Sequence, residues 1–220
     1  MAWYATHMRI ITLVTQKGGT GKTTLAASLA VAAQEAGEKV LALDLDPQAS
    51  LATWGELREA DLPHVEKVPA SVIADLPKLL DGVKGQGFTL TIIDTAGADN
   101  PTTHIAMQTA ELCLVPIRPT RIDGNAVLPT AQALQRLSKP FAFVLTQCSA
   151  IPRNSRAAEM AAGLKTLGVL AEPNIAQRAD HQDAYAAGQG VTEYAADGKA
   201  AEEVRALWQW VDKRMKGKTR

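Results

Sequence analysis

The run Ile10-Ile11-Thr12-Leu13-Val14-Thr15-Gln16-Lys17-Gly18-Gly19-Thr20-Gly21-Lys22-Thr23-Thr24 decides the fold. Its apolar, β-branched first half reads as a buried strand, its glycine-rich middle as a tight turn, and the alanine-rich sequence beyond as a helix. A loop of this kind wraps its backbone N–H groups around a polyphosphate, and a Cβ at the glycines would obstruct that approach. Gly18, Gly19, Thr20, Gly21 and Thr24 form the cradle in this reading. Lys22 reaches the β- and γ-phosphates, Thr23 offers its hydroxyl to Mg2+, and the helix N-terminus adds partial positive charge. The strict pattern G-x-x-x-x-G-K-[ST] wants glycine where Gln16 stands, and the loop carries an additional lysine, Lys17.

Lys17-Gly18-Gly19-Thr20-Gly21-Lys22-Thr23-Thr24 resembles the deviant Walker A motif of the ParA/MinD family of ATPases. The resemblance implies that Lys17 contacts the nucleotide of a partner subunit while Lys22 serves its own. Two protomers then sandwich two ATP molecules.

Carboxylates follow at the ends of later apolar runs. Residues 39–44 lead into Asp44-Leu45-Asp46-Pro47-Gln48. Alternation along an extended backbone sends Asp44 and Asp46 to one side, and parallel sheets bind ligands at that end of their strands. Paired acids facing a phosphate loop suit a hydrated Mg2+ and the orientation of an attacking water. The segment resembles ParA switch I, which implies Asp46 as the catalytic carboxylate and Asp44 as a magnesium contact through water. A turn built on Asp46-Pro47 is the plainer alternative. Residues 88–93 end in Asp94-Thr95-Ala96-Gly97, a Walker B arrangement in which Asp94 bonds the metal's water shell and Gly97 turns an N–H to the γ-phosphate. Asp-Thr-Ala-Gly also looks like a GTPase switch, but no N-K-x-D motif is present, so ATP is the expected nucleotide.

The remaining pattern gives helices at 25–36 (closed by Gly37), 49–60, 71–83 (with Pro77 disturbing it), 127–137 and 153–167. Strands are expected at 65–68, Leu112–Ile117 and 141–147, with 118–123 and 148–154 as loops. Strand–helix units in series without hairpin signals imply an α/β fold, a mostly parallel doubly wound sheet flanked by helices. The resemblance makes it a P-loop NTPase of deviant Walker A type. It also aligns 118–123 with the family's V-P-x-x-P-x-x-x-D stretch, sets Thr146, Gln147 and Pro152 beside adenine, and matches Gln177-Arg178 with the spacing that follows to a late ParA segment. Residues 1–8 read as a leader, or a natural extension, ahead of a single domain at 9–220, with no room for an N-terminal helix-turn-helix.

Composition narrows the classes. The 220 residues carry 23 basic and 23 acidic side chains, so affinity for nucleic acid or membrane must come from a local patch. Cys113 and Cys148, each read as lying in a buried strand, suit a reducing compartment, the four histidines are scattered, and no apolar run spans a bilayer. A soluble, cytoplasmic chain is expected. Val204, Leu207, Trp208 and Val211 form the inward face of a C-terminal helix. Lys199, Arg205, Lys213, Arg214, Lys216, Lys218 and Arg220 make its remainder basic. That is either a solvated helix end favoured by the dipole or a contact surface. The family implies non-specific DNA binding by the ATP dimer, a ParB-like adaptor that stimulates hydrolysis, and nucleoid association. A MinD-like membrane switch and an amide-ligase-type enzyme of the same superfamily are the alternatives, the membrane being disfavoured by the lack of any apolar residue in 216–220.

Overall fold

The computed structural model describes residues 7–151 and 155–217. Pro152, Arg153, Lys218, Arg220 and most of the expected leader lie outside them. Met8, the last residue of that stretch, is fully buried, with its sulfur accepting from Thr91.

Seven parallel strands form one sheet in the order β3-β2-β4-β1-β5-β6-β7. They are β1 (Arg9–Leu13), β2 (Val40–Asp44), β3 (His64–Lys67), β4 (Leu90–Asp94), β5 (Leu112–Ile117), β6 (Phe141–Leu145) and β7 (Val169–Leu170). The helices are α1 (Lys22–Glu35), α2 (Ser50–Glu56), α3 (Leu76–Lys84), α4 (Pro101–Thr109), α5 (Arg121–Ala126), α6 (Leu128–Arg136), α7 (Ser155–Leu167), α8 (Ala179–Ala186), α9 (Val191–Tyr194) and α10 (Lys199–Lys216).

Side chains alternate between two apolar layers. Ile11 and Leu13 of β1 join Leu90 and Ile92 of β4 under α1 and α10, whereas Ile10 and Ile93 face the side covered by α3 and α4. Burial on both faces is why the strands read as continuous apolar runs. Because β4 and β5 flank β1, the chain leaving each of them passes the loop that leaves β1. In register, Asp44 lies opposite Asp94 on the neighbouring strand. The topology thus gathers the site at one end of the sheet, where the strand order reverses around β1.

Several elements depart from the expected bounds. Pro77 does not disturb a helix: residues 70–75 form a 3-10 turn and Pro77 sits in the first turn of α3, where a missing N–H costs nothing. The expected 49–60 helix stops at Glu56, with Leu57 as its cap. Residues 118–123 are not all loop, because Thr120 accepts from the Asp123 N–H and starts α5. Gly37, at φ +95°, follows the cap residue Ala36, and the Glu38 N–H bonds to Ala33 in a Schellman turn. Cys148 lies beyond β6, bridged to Ala176. Both cysteines are free and buried, and burial pushes their thiols up to about 12 (Cys113) and about 11 (Cys148).

Candidate active site

The loop between β1 and α1 is braced from two sides. Gly19 and Gly21 adopt φ of +76° and +86°, which L side chains rarely take. Thr146 Oγ1 donates to the Thr20 carbonyl at 2.8 Å and Gln147 Nε2 to the Gly19 carbonyl at 3.0 Å. Both side chains, read from the sequence as lying beside a base, pin the loop's backbone to the end of β6 and also line the cleft next to it. On the opposite side, a Cβ on Gly97 would stand 2.9 Å from the Gly18 nitrogen. Only glycine lets the chain after β4 press this closely on the loop.

Three carboxylates and two α1 side chains meet beneath it. Thr23 Oγ1 donates to Asp94 Oδ2 at 2.6 Å. Burial drives the Asp94 carboxyl up to about 7, against the opposing Thr23 hydrogen bond. Its other oxygen, Oδ1, is buried without a partner among the described residues. Asp44 is fully buried and accepts from the Asp46 and Ala52 N–H groups, each at 2.9 Å; burial raises its pKa as well. Asp46 is half-buried, and its Oδ1 accepts from the Gln48 N–H at 3.0 Å, so the turn at Pro47 and the second acid coexist. Lys22 is almost wholly buried. Desolvation lowers its pKa, while the charges of Asp94 and Asp46 work the other way. Tyr185 of α8 completes the group: its hydroxyl donates to the Ser50 carbonyl at 2.6 Å, and burial beside Asp94 and Asp44 pushes it to about 12.

This donor set fits a divalent cation and a polyphosphate. An orphaned buried carboxylate oxygen next to a threonine hydroxyl, with a second acid in register, carries negative charge that a hard cation would offset. Among the described residues no three acids, histidines or cysteines converge tightly enough to cage a metal alone.

Lys17 forms an ion pair with Asp123 of its own chain, at the start of α5. Arg118, from the loop after β5, grips the same carboxylate through Nε at 2.5 Å and Nη2 at 3.2 Å. Asp123 is buried by this grip; desolvation raises its pKa, but the Arg118 and Lys17 bonds outweigh that and leave it below the usual value. Neither Arg118 nor Asp123 stands out as a site residue in the sequence, since only the V-P-x-x-P-x-x-x-D spacing points at them. Tyr185 has no sequence signal at all.

A cleft adjoins the loop, lined by Gly21, Thr24, Ser28, Thr146, Gln147 and the segment Gln177-Arg178. Arg178 is anchored to Glu203 of α10 at 2.7 Å. The half-buried His181 also lines the cleft; burial lowers its pKa, and its Nε2 has no partner among the described residues. Loop, cleft and acids together have the shape of a nucleotide site. The sequence profile of the CobQ/CobB/MinD/ParA nucleotide-binding domain matches residues 11–183.

The chain belongs to this ParA/MinD family. It is 30% identical to Protein ParA of Rhizobium radiobacter over 184 residues, 78% of this chain and 79% of that one. It is 32% identical to the Maintenance of carboxysome distribution protein A of Gloeobacter kilaueensis over 128 residues, 57% of this chain. The aligned part spans only 56% of that relative's length. Among solved structures, the septum site-determining protein MinD of Pyrococcus horikoshii, complexed with Mg-ADP, superposes with a TM-score of 0.74 at 21% identity, covering 94% of this chain and 97% of that one. At that identity the likeness concerns the fold.

In this ParA/MinD-family chain, α10 does not bring all the expected cations together. Lys199 begins the helix and Lys213 lies about 20 Å further along it, at 1.5 Å per residue. Arg205 is spent internally, donating to the Ala196 carbonyl at 2.5 Å and the Thr192 carbonyl at 3.0 Å. Lys213, Arg214 and Lys216 cluster in the last turn, with the Arg214 guanidinium 5.6 Å from the Trp210 ring centroid. No helix among the described residues is long and apolar enough to cross a membrane.

Proposed function

We propose that this chain is a Mg2+-dependent ATPase that dimerises around ATP, binds DNA without sequence preference and positions or segregates a cargo, with hydrolysis returning it to the monomer. The observation that carries the reading is the Thr23–Asp94 pair at 2.6 Å beneath a loop holding both Lys17 and Lys22. The name of one relative, a protein for the maintenance of carboxysome distribution, supports the cargo role.

The chemistry divides among the chain's own groups. The loop N–H groups, Lys22 and the start of α1 bind the phosphates. Thr23, and Asp44 and Asp94 through water, would hold Mg2+, which would supply charge neutralisation. Asp46 is close enough for its charge to act on Lys22 and Asp94, and its Oδ2 has no partner among the described residues. It orients the water that attacks the γ-phosphorus in line with the departing ADP oxygen. Gly97 brings an N–H toward the γ-phosphate. Lys17 crosses to the partner's nucleotide, leaving Asp123. Thr146 and Gln147 hold the loop at the edge of the base cleft, and the last turn of α10 offers Lys213, Arg214 and Lys216 to DNA. A ParB-like adaptor stimulates turnover.

Two variants test the switch. Asp46→Ala keeps ATP binding, loses hydrolysis and accumulates as an ATP-bound dimer. Lys17→Ala binds ATP yet stays monomeric by light scattering; dimerisation equal to the wild type would remove the sandwich and leave an ordinary nucleotide hydrolase.

A further inference from the structure

We propose that Arg118 is an additional triphosphate-contacting residue and that the buried Asp123 is the positioning residue that aims it at the loop. The inference rests on the reading that the loop takes ATP.

The argument begins with unused donors. Arg118 approaches Asp123 side-on, through Nε and Nη2, at 2.5 and 3.2 Å. That geometry leaves Nη1 and its two N–H groups without a hydrogen-bond partner among the described residues. Nη1 is directed at the phosphate loop, 4.0 Å from where a Cβ on Gly19 would stand. The Lys17 ammonium carries three N–H donors, and among the described residues it bonds to Asp123 alone. One buried carboxylate therefore gathers two cations, and the group retains a net positive charge beside a loop built for anions.

A brace for α5 would not need this arrangement. Thr120 already caps that helix by accepting from the Asp123 N–H, and one cation would neutralise the carboxylate. The second cation adds charge and a fixed direction. A guanidinium held by two hydrogen bonds has lost most of its rotamer freedom, so its remaining edge meets a phosphate oxygen at little further ordering cost. The side chain keeps 31% of its surface accessible, enough for a ligand to reach it. When Lys17 leaves for a partner's nucleotide, Arg118 remains on Asp123 with its Nη1 donors still directed at its own loop.

The test compares AMPPNP with ADP, each with Mg2+, by calorimetric titration of the full chain. Arg118→Ala is expected to lose about ten-fold in AMPPNP affinity, the scale of one charged hydrogen bond, while ADP affinity changes little. Arg118→Lys, which keeps charge but not the fork, recovers part of it. Asp123→Asn is expected to show the same selective loss, with no further loss in the double variant, because both act through one group. Unchanged AMPPNP binding by Arg118→Ala, or equal loss of both nucleotides, overturns the Arg118 assignment; additive losses overturn the role of Asp123. If thermal melting shows Asp123→Asn unfolded, Arg118→Ala and Arg118→Lys decide alone. A wild-type chain that binds neither nucleotide sinks the nucleotide reading itself, and this assignment with it.

Discussion

Asp94 shows how one residue can trade stability for a ligand. Its carboxyl is raised to about 7, chiefly by burial, so between the ordinary 3.8 and about 7 the folded chain holds a proton that the unfolded chain has released. The nucleotide-free protein should therefore lose stability as the pH rises through that window and level off above it. Asp94→Asn, which carries no titratable proton, should flatten the slope; urea titrations across the window, without nucleotide or Mg2+, measure it. An unchanged slope would place the titration elsewhere. The identity of Asp94 is legible in the sequence because a carboxylate after an apolar strand is a pattern. Its orphaned Oδ1 and its Thr23 bond are not, since they depend on the register between β1 and β4. For the same reason Lys17 can be singled out from its loop, but not its pairing with Asp123, which lies 106 positions away.

At the level of elements, local pattern serves where one face or both faces are uniformly buried and fails where the chain changes course. Leu112–Ile117 matches β5 to the residue because all six side chains are buried. Strand β7 has only two half-buried residues and is defined by pairing with β6, which no local signal announces. The docking of α10 combines both cases. Val204, Leu207, Trp208 and Val211 show its buried stripe at helical spacing, yet its anchor is Arg9 of β1, which reaches Asp212 at 2.7 Å and Glu38 at 2.5 Å. Burial raises the Asp212 pKa, but bonds from Lys216 and Arg9 prevail and hold it below the ordinary value. The stabilisation is thus complete above the ordinary carboxylate range and fades as the pH falls through the held-down value. Asp212→Asn should cost about 1 kcal/mol at neutral pH, as for a partly screened ion pair, and nearly nothing in strong acid. A cost independent of pH in urea titrations would mean that packing, not charge, ties α10 to β1.

For the whole molecule, charge balance sets the terms of any DNA contact. With 23 basic and 23 acidic side chains there is no overall field to draw in a polyanion, so binding depends on where cations are both clustered and unspent. Arg205 is spent on carbonyls and Lys199 stands at the far end of α10. In the last turn, Lys216 is shared with Asp212 at 2.9 Å, whereas Lys213 has no ion pair among the described residues. Arg214 lies over Trp210, which fixes its direction without neutralising it. Cations that neutralise phosphates release counterions, so replacing Lys213 and Arg214 by alanine should weaken binding alike on all sequences and reduce the salt slope by about one for each phosphate left unneutralised. Lys216→Ala should do less, because that ammonium must first leave Asp212, and Lys199→Ala should do nothing. Filter binding on random duplex DNA with ATP across a salt series measures all four. Equal effects at both ends of α10 would mean that the helix contributes only diffuse charge, and loss of liposome binding in place of DNA binding would move the surface to a membrane.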